Sequence, residues 1–178
     1  YFYGEIIRLA DIKGKEKILD VGCGGGFLLD RIKMKYRLTK LYGVEPSPQL
    51  LIESRTRLGK KVSLTNEFGE NIDFPNESFD IIFIAEVLEH TKNPEKVLKE
   101  SSRLLKKGGK IIITIPNLHA FFPFYFFDKI IPDSLKSVLL PDEHPFNSIQ
   151  PIDRIFTLTS INEIINKIIS VNIQSKIV

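Results

Sequence analysis

Residues 18–27 read ILDVGCGGGF, and few folds tolerate that string. The apolar pair Ile18-Leu19 runs into Asp20, glycines follow at Gly22, Gly24, Gly25 and Gly26, and a helical pattern starts at Phe27. The string predicts a buried strand, a tight turn and a helix in immediate succession. Glycine reaches positive φ without strain, and its missing Cβ lets the backbone approach a ligand. A helix N-terminus leaves unsatisfied N–H groups pointing back at the turn. Strand, turn and helix end therefore predict a nucleotide-type pocket.

The rest of the chain repeats this alternation. Strands are expected at Lys40–Glu45, Val62–Thr65, Phe79–Ala85 and Lys110–Ile115, and helices at Tyr3–Ala10 and Phe27–Tyr36, after Ser47-Pro48, and after Asn93-Pro94. Serine or asparagine followed by proline is a helix start: the side chain caps and proline fits the first turn. Lys106-Lys107-Gly108-Gly109 is expected to close the second of these helices. The run FDIIFIA at 79–85 suits a central strand buried on both faces. Such alternation predicts an α/β fold with a doubly wound, mostly parallel sheet of Rossmann-like type, whose ligands bind beyond the strand C-termini. Asp20, Glu45 and Ala85 fall there.

After Asn117 the pattern changes. Six aromatic residues fall between Phe121 and Phe127, and prolines are frequent; an aromatic-rich insertion at 118–150, after the fifth strand, is expected to form a substrate lid within a single domain spanning 1–178. The aromatic residues either pack over the sheet or offer an apolar pocket or membrane contact to an apolar acceptor. Ser160–Glu163 reads as a capping box opening a helix, and Ser170–Val178 as a last strand.

Composition excludes little. The 178 residues carry a net charge of +3, which gives no strong argument for nucleic acid. The basic residues Arg31, Lys33, Lys35 and Arg37 read as a solvated helix face, so nucleic acid is disfavoured as a partner. The single cysteine, Cys23, rules out an internal disulfide and fits a reducing, cytoplasmic setting. It fills the turn more readily than it serves as a reactive thiol. The sequence opens at Tyr1 and not at methionine, as a piece of a longer or trimmed chain would.

The glycine spacing discriminates between nucleotides. A dinucleotide fingerprint needs Gly-x-Gly-x-x-Gly, and its last position would be Phe27. That speaks against a nucleotide-binding oxidoreductase. Gly22, Gly24 and Gly26 instead follow Gly-x-Gly-x-Gly with an acid ahead, which resembles motif I of the class I S-adenosylmethionine-dependent methyltransferases. Glu45-Pro46-Ser47, Gly69-Glu70-Asn71, Phe74–Asp80, Ala85–His90, and Leu105–Lys110 with Pro116-Asn117 are similar to later motifs of that family, in order. The match is weak after Asn117. The Glu-x-x-Glu-His pattern is similar to that of the ubiquinone-pathway O-methyltransferases.

The resemblance implies S-adenosylmethionine as methyl donor and S-adenosylhomocysteine as product. It implies cofactor contacts at Asp20, Gly22, Cys23, Gly24, Gly26, Glu45, Pro46, Phe68, Gly69, Glu70, Ala85 and Glu86. Glu45 would accept hydrogen bonds from both ribose hydroxyls, and residues 68–70 would flank adenine. His90 is the expected catalytic base, with His119 and His144 as the other candidates. A divalent metal on Glu86, Glu89 and His90, joined by His144, is the less favoured reading. The expected acceptor is a small molecule, methylated on oxygen ahead of nitrogen or carbon; the alternative is a cofactor-binding module without turnover. In that family an antiparallel strand normally closes the sheet, and a single strand after the last helix leaves that edge open.

Overall fold

The computed structural model describes residues 2–115 and 156–168. The aromatic-rich insertion, His119, His144 and the expected strand at 170–178 lie outside them.

The elements run α1 (Phe2–Ala10), β1 (Lys17–Val21), α2 (Phe27–Lys35), β2 (Lys40–Val44), α3 (Pro48–Leu58), β3 (Val62–Thr65), β4 (Phe79–Ala85), α4 (Pro94–Leu104), β5 (Leu105–Thr114) and α5 (Leu158–Ile168). The five strands form one sheet in the order β3-β2-β1-β4-β5, and every pairing is parallel. The order reverses between β1 and β4. At such a switch point successive crossovers leave on opposite faces and open a crevice beyond the strand ends.

Side chains of β1 and β4 alternate between two cores, as the two-residue strand period requires. Ile18, Ile81 and Phe83 pack with Ile6, Ile7, Leu28, Leu29 and Ile32 of α1 and α2. Leu19, Val21, Ile82 and Ile84 pack with Val97, Leu98 and Leu104 of α4 and Ile161 of α5. Asp20 shares the parity of Ile18, so its carboxylate is carried towards the α1–α2 side and is buried there.

The proline helix starts behave as expected. The Ser47 hydroxyl accepts from Leu50 N at 3.4 Å, and Asn93 Oδ1 accepts from Lys96 N at 3.0 Å. Two junctions differ by more than one residue. α4 ends at Leu104, before the expected Lys-Lys-Gly-Gly closure, because Leu105 is already extended and pairs with Phe79. Residues 106–109 are instead an irregularity within β5, with Gly108 at φ 77°. α5 starts one turn earlier than the Ser160 box predicts. Thr157 Oγ1 accepts from Ser160 N at 3.1 Å while Ser160 Oγ accepts from Thr157 N at 2.9 Å, so serine closes a box that threonine opens. Among the described residues no helix is long and apolar enough to cross a membrane.

Candidate cofactor-binding site

The turn after β1 is built by three left-handed glycines with different surroundings. Gly22 has φ 69°, and its amide and that of Cys23 donate to Val44 O at 2.9 and 3.0 Å, tying the turn to the end of β2. A Cβ on Gly22 would lie 2.6 Å from Val87 Cγ2, and one on Gly26 (φ 80°) would lie 2.8 Å from Leu58 Cδ1. At Gly24 (φ 51°) a Cβ would meet nothing within 4 Å. Gly22 and Gly26 are therefore held by packing, whereas Gly24 borders open space, as the floor of a ligand cradle must. Gly26 supplies the N-terminal boundary of α2 without a side-chain cap, so the first amides of that helix receive no capping oxygen.

Glu45 stands just past β2 and is buried. Its Oε2 accepts from Gly24 N at 2.9 Å and its Oε1 from Ser47 N at 2.8 Å. Each oxygen still has a lone pair to offer, which suits a vicinal diol. Asn66 Nδ2 donates to the carbonyls of Glu45 and Pro46 at 2.8 and 2.9 Å, fixing the backbone that carries the acid. Nothing in the sequence around Asn66 signalled this bond.

Asp20 is 3% exposed, and its pKa rises from 3.8 to about 8, first from burial and then from the nearby Glu45 charge. A cation entering the crevice would relieve both costs. The Cys23 thiol is raised too, by burial first and then by Asp20 and Glu45. Its sulfur packs where a Cβ on Gly43 would lie, at 2.8 Å. Cys23 thus turns its side chain into the core and leaves only its backbone to the loop.

The 66–78 segment crosses the ends of the strands. A Cβ on Gly69 would sit 2.8 Å from Val21 Cγ1, which places this glycine directly against the end of β1. Asn71 N donates to Phe68 O at 3.1 Å, and the Phe68 ring stays 67% exposed. Glu70 is half-buried. α4 holds the far half of the loop through Arg103, a residue that motif reading missed. Its guanidinium donates to Ile72 O at 3.1 Å, Phe74 O at 2.8 Å and Asn76 Oδ1 at 2.8 Å, and pairs with Glu100, which accepts from Ile72 N at 3.0 Å.

β4 ends at Ala85, and Glu86 takes φ 55°, unusual for a residue with a Cβ. Its amide donates to Thr114 O and Oγ1, both at 3.2 Å. The Glu86 carboxyl is raised by burial, opposed by the Thr114 hydrogen bond. A 3-10 turn over Leu88–His90 follows. Glu89 is 1% exposed, neither of its carboxylate oxygens has a hydrogen-bond partner among the described residues, and burial, with Glu86 adding, lifts its pKa to about 7. His90 Nε2 lies 3.9 Å from Glu89 Oε1. Among the described residues no three His, Cys, Asp or Glu side chains gather as a metal site. Glu86, Glu89 and His90 are neighbours in the chain without forming one.

A second depression lies at the opposite edge, lined by Asp11, Lys13, Asp80, Lys106 and Lys110. Two ion pairs cross it, Lys106–Asp80 at 2.7 Å and Lys110–Asp11 at 3.5 Å. It is also remote from the strand C-termini, where sheets of this kind bind ligands.

The sequence profile of the methyltransferase domain family matches residues 19–113, more than half of the chain. The chain belongs to the class I S-adenosylmethionine-dependent methyltransferase family. An uncharacterized protein of Methanocaldococcus jannaschii is 34% identical over 123 residues, covering 66% of this chain and 56% of that protein. A ubiquinone biosynthesis O-methyltransferase of Idiomarina loihiensis is 34% identical over 106 residues, covering 57% of this chain and 43% of the relative. The solved structure of a SAM-dependent methyltransferase from Aquifex aeolicus superposes with a TM-score of 0.67 at 20% identity, covering 93% of this chain and 77% of that one. This last likeness speaks for the fold. The methyltransferase chain spans about half the length of these sequence relatives.

Proposed function

We propose that this methyltransferase domain binds S-adenosylmethionine across the β1–β4 crevice and moves its methyl group to a hydroxyl of a small-molecule acceptor. The observation that carries the reading is the tie between Gly24 N and Glu45 Oε2 at 2.9 Å. It sets an open glycine floor beside a buried carboxylate with unused lone pairs, the shape and chemistry that a ribose on a nucleoside requires. Asp20, Gly22, Gly24, Gly26, Pro46 and the Cys23 backbone belong to that cradle. Phe68, Gly69 and Glu70 border the base, and Ala85 and Glu86 border the sulfur side.

S-adenosylmethionine, when bound, supplies a methyl group on a positively charged sulfur that leaves as a neutral thioether. The protein's task is alignment, since positive charge is lost during transfer and no charged catalyst is needed at the methyl. An oxygen acceptor must also lose its proton as the new carbon–oxygen bond forms. His90, just beyond β4 and half-buried, receives it in this reading, with its imidazole beside the Glu89 carboxyl. The similarity to a ubiquinone biosynthesis O-methyltransferase supports oxygen over nitrogen or carbon as the acceptor atom.

Titration calorimetry with S-adenosylhomocysteine tests the binding half. Measurable affinity in the intact chain, lost in Glu45→Ala, is expected. Transfer of labelled methyl to phenolic or catecholic acceptors tests the second half; binding without transfer to any acceptor would leave a cofactor-binding module.

A further inference from the structure

All five strands run parallel, so their first residues share one edge of the sheet, opposite the crevice. That edge is basic. Lys13 and Lys15 precede β1, Arg37 precedes β2 and Lys40 opens it, and Lys60 and Lys61 lead into β3, all of them exposed. In β5, Leu105 pairs with Phe79 and Lys110 with Ile81. Residues 106–109 therefore stand against Asp80 alone and bulge outward, carrying Lys107 into solvent. Two hydrogen bonds tie these segments side by side: Lys40 N donates to Glu16 O at 2.9 Å, and Lys110 Nζ to Ala10 O at 3.2 Å.

The acids nearest these lysines are engaged. Asp80 accepts from Lys17 N and pairs with Lys106, Glu16 accepts from the amides of Lys13, Gly14 and Lys15, and Asp11 pairs with Lys13 and Lys110. Among the described residues no ion pair engages Lys15, Arg37, Lys40, Lys60, Lys61 or Lys107. Against them stands Glu77, exposed ahead of β4. A helix C-terminus attracts cations only within its last turn, which does not account for Lys15, Lys40 or Lys107. The other ends of the strands carry the opposite sign, with Asp20, Glu45, Glu70, Glu86 and Glu89. The net charge of +3 thus hides a separation of charge along the strands.

Apolar side chains stand among the cations. Leu9 is next to last in α1, Met34 next to last in α2, and Leu38 lies in the turn before β2; they are 40%, 71% and 72% exposed. Nucleic acid would favour guanidinium forks and exposed aromatic faces, whereas this edge is lysine-rich with aliphatic chains between. Lysine heads beside apolar side chains suit a boundary where phosphates lie above hydrocarbon. We propose that the strand-start edge docks on an anionic lipid surface, its lysines meeting headgroup phosphates while Leu9, Met34 and Leu38 enter the boundary beneath them. The crevice, at the other end of the strands, then opens towards water. The docking edge stands independently of the cofactor reading above.

Co-sedimentation of the full chain with vesicles tests it, using phosphatidylcholine alone and phosphatidylcholine with about one third phosphatidylglycerol. Binding should require the anionic lipid and weaken as added salt shortens the screening length. Lys40→Ala and Lys107→Ala should each lower the partition coefficient about fivefold, the share of one lysine near a charged surface. Lys96→Ala, at the start of α4, removes the same charge elsewhere and should change it less than about twofold. Leu38→Ser should lower it about tenfold, by a factor that salt does not alter. No binding to the anionic vesicles, or equal binding to both kinds, would overturn the proposal. Equal losses in Lys96→Ala and Lys107→Ala would reduce the attraction to net charge and overturn the docking edge. A duplex RNA that binds more tightly than the anionic vesicles, and depends on Lys40 and Lys107, would overturn the lipid surface in favour of nucleic acid.

Discussion

The amide of Gly24 donates to the Glu45 carboxylate at 2.9 Å, so the glycine turn and the acid of the next strand are one unit before any ligand enters. Glu45→Ala should therefore do two things. Removing the acceptor for Gly24 N and Ser47 N costs about 2 kcal/mol of stability, since both amides are partly buried. Loss of both proposed ribose contacts should weaken S-adenosylhomocysteine by at least about tenfold. Glu45→Gln keeps one of the two acceptors and should recover about half of that stability with little of the affinity. Thermal melts beside calorimetry separate the two effects, and recovery of affinity together with stability would contradict the ribose role.

The glycines predict an opposite split. In Gly26→Ala the new methyl meets Leu58 Cδ1 at 2.8 Å and Ser54 Cβ at 3.1 Å, on a residue already at φ 80°. Strain and overpacking together should cost about 2 kcal/mol or more. In Gly24→Ala only the positive φ is penalised, about 1 kcal/mol, because the methyl points into open space. That same space is the proposed cradle, so Gly24→Ala should lose more ligand affinity than stability and Gly26→Ala the reverse. Urea denaturation and ligand titration of the two variants, compared side by side, decide it.

These positions also show what the residues alone reveal. The parallel sheet, the glycine turn and the acid after β2 follow from local spacing, because strand, turn and helix each have a short-range signature. The loop clamp does not. Glu100 and Arg103 read as an ordinary helix pair three residues apart, yet Arg103 grips the carbonyls of Ile72 and Phe74, roughly thirty residues upstream. Asn66 is equally silent, since its role depends on where the sheet brings distant segments. The helix starts at Leu158 and not at Ser160 because Thr157 competes for the same capping role, a choice that two hydroxyl residues three positions apart leave open.

The buried carboxyls predict how stability depends on pH. Asp20 and Glu89 hold their protons in the folded protein to about pH 8 and about pH 7, against 3.8 and 4.5 when freely solvated. The folded state thus binds more protons than the unfolded state between those values, and stability must fall as pH rises through that window. The contribution is complete below the unfolded values and lost above the folded ones. Melting temperature at constant ionic strength should decline from pH 5.5 to about pH 8.5. Asp20→Asn should flatten the upper part of the decline and Glu89→Gln the lower part. A wild-type melting temperature that rises across the window would show that these carboxyls are not protonated in the fold.

The clamp on the 66–78 loop supplies the last expectation. Arg103 makes three hydrogen bonds to that loop and a two-pronged pair with Glu100, which itself accepts from Ile72 N. Arg103→Met keeps the aliphatic stem and removes every donor, leaving Ile72 O and Phe74 O to water. The site is partly exposed, so the stability cost should be about 1–2 kcal/mol. The functional effect should reach further than the contact does. Released from α4, the loop no longer holds Gly69 against Val21, and Phe68 and Glu70 lose their placement beside the crevice. Affinity for S-adenosylhomocysteine should fall about threefold to tenfold, although Arg103 touches no part of the proposed cradle. Phe68→Ala supplies the control: it should lower affinity with little change in melting temperature, because the ring is exposed and, in the proposed reading, only a bound base covers it. An Arg103→Met protein that loses stability but binds as the wild type does would show that the loop's far half is structural alone.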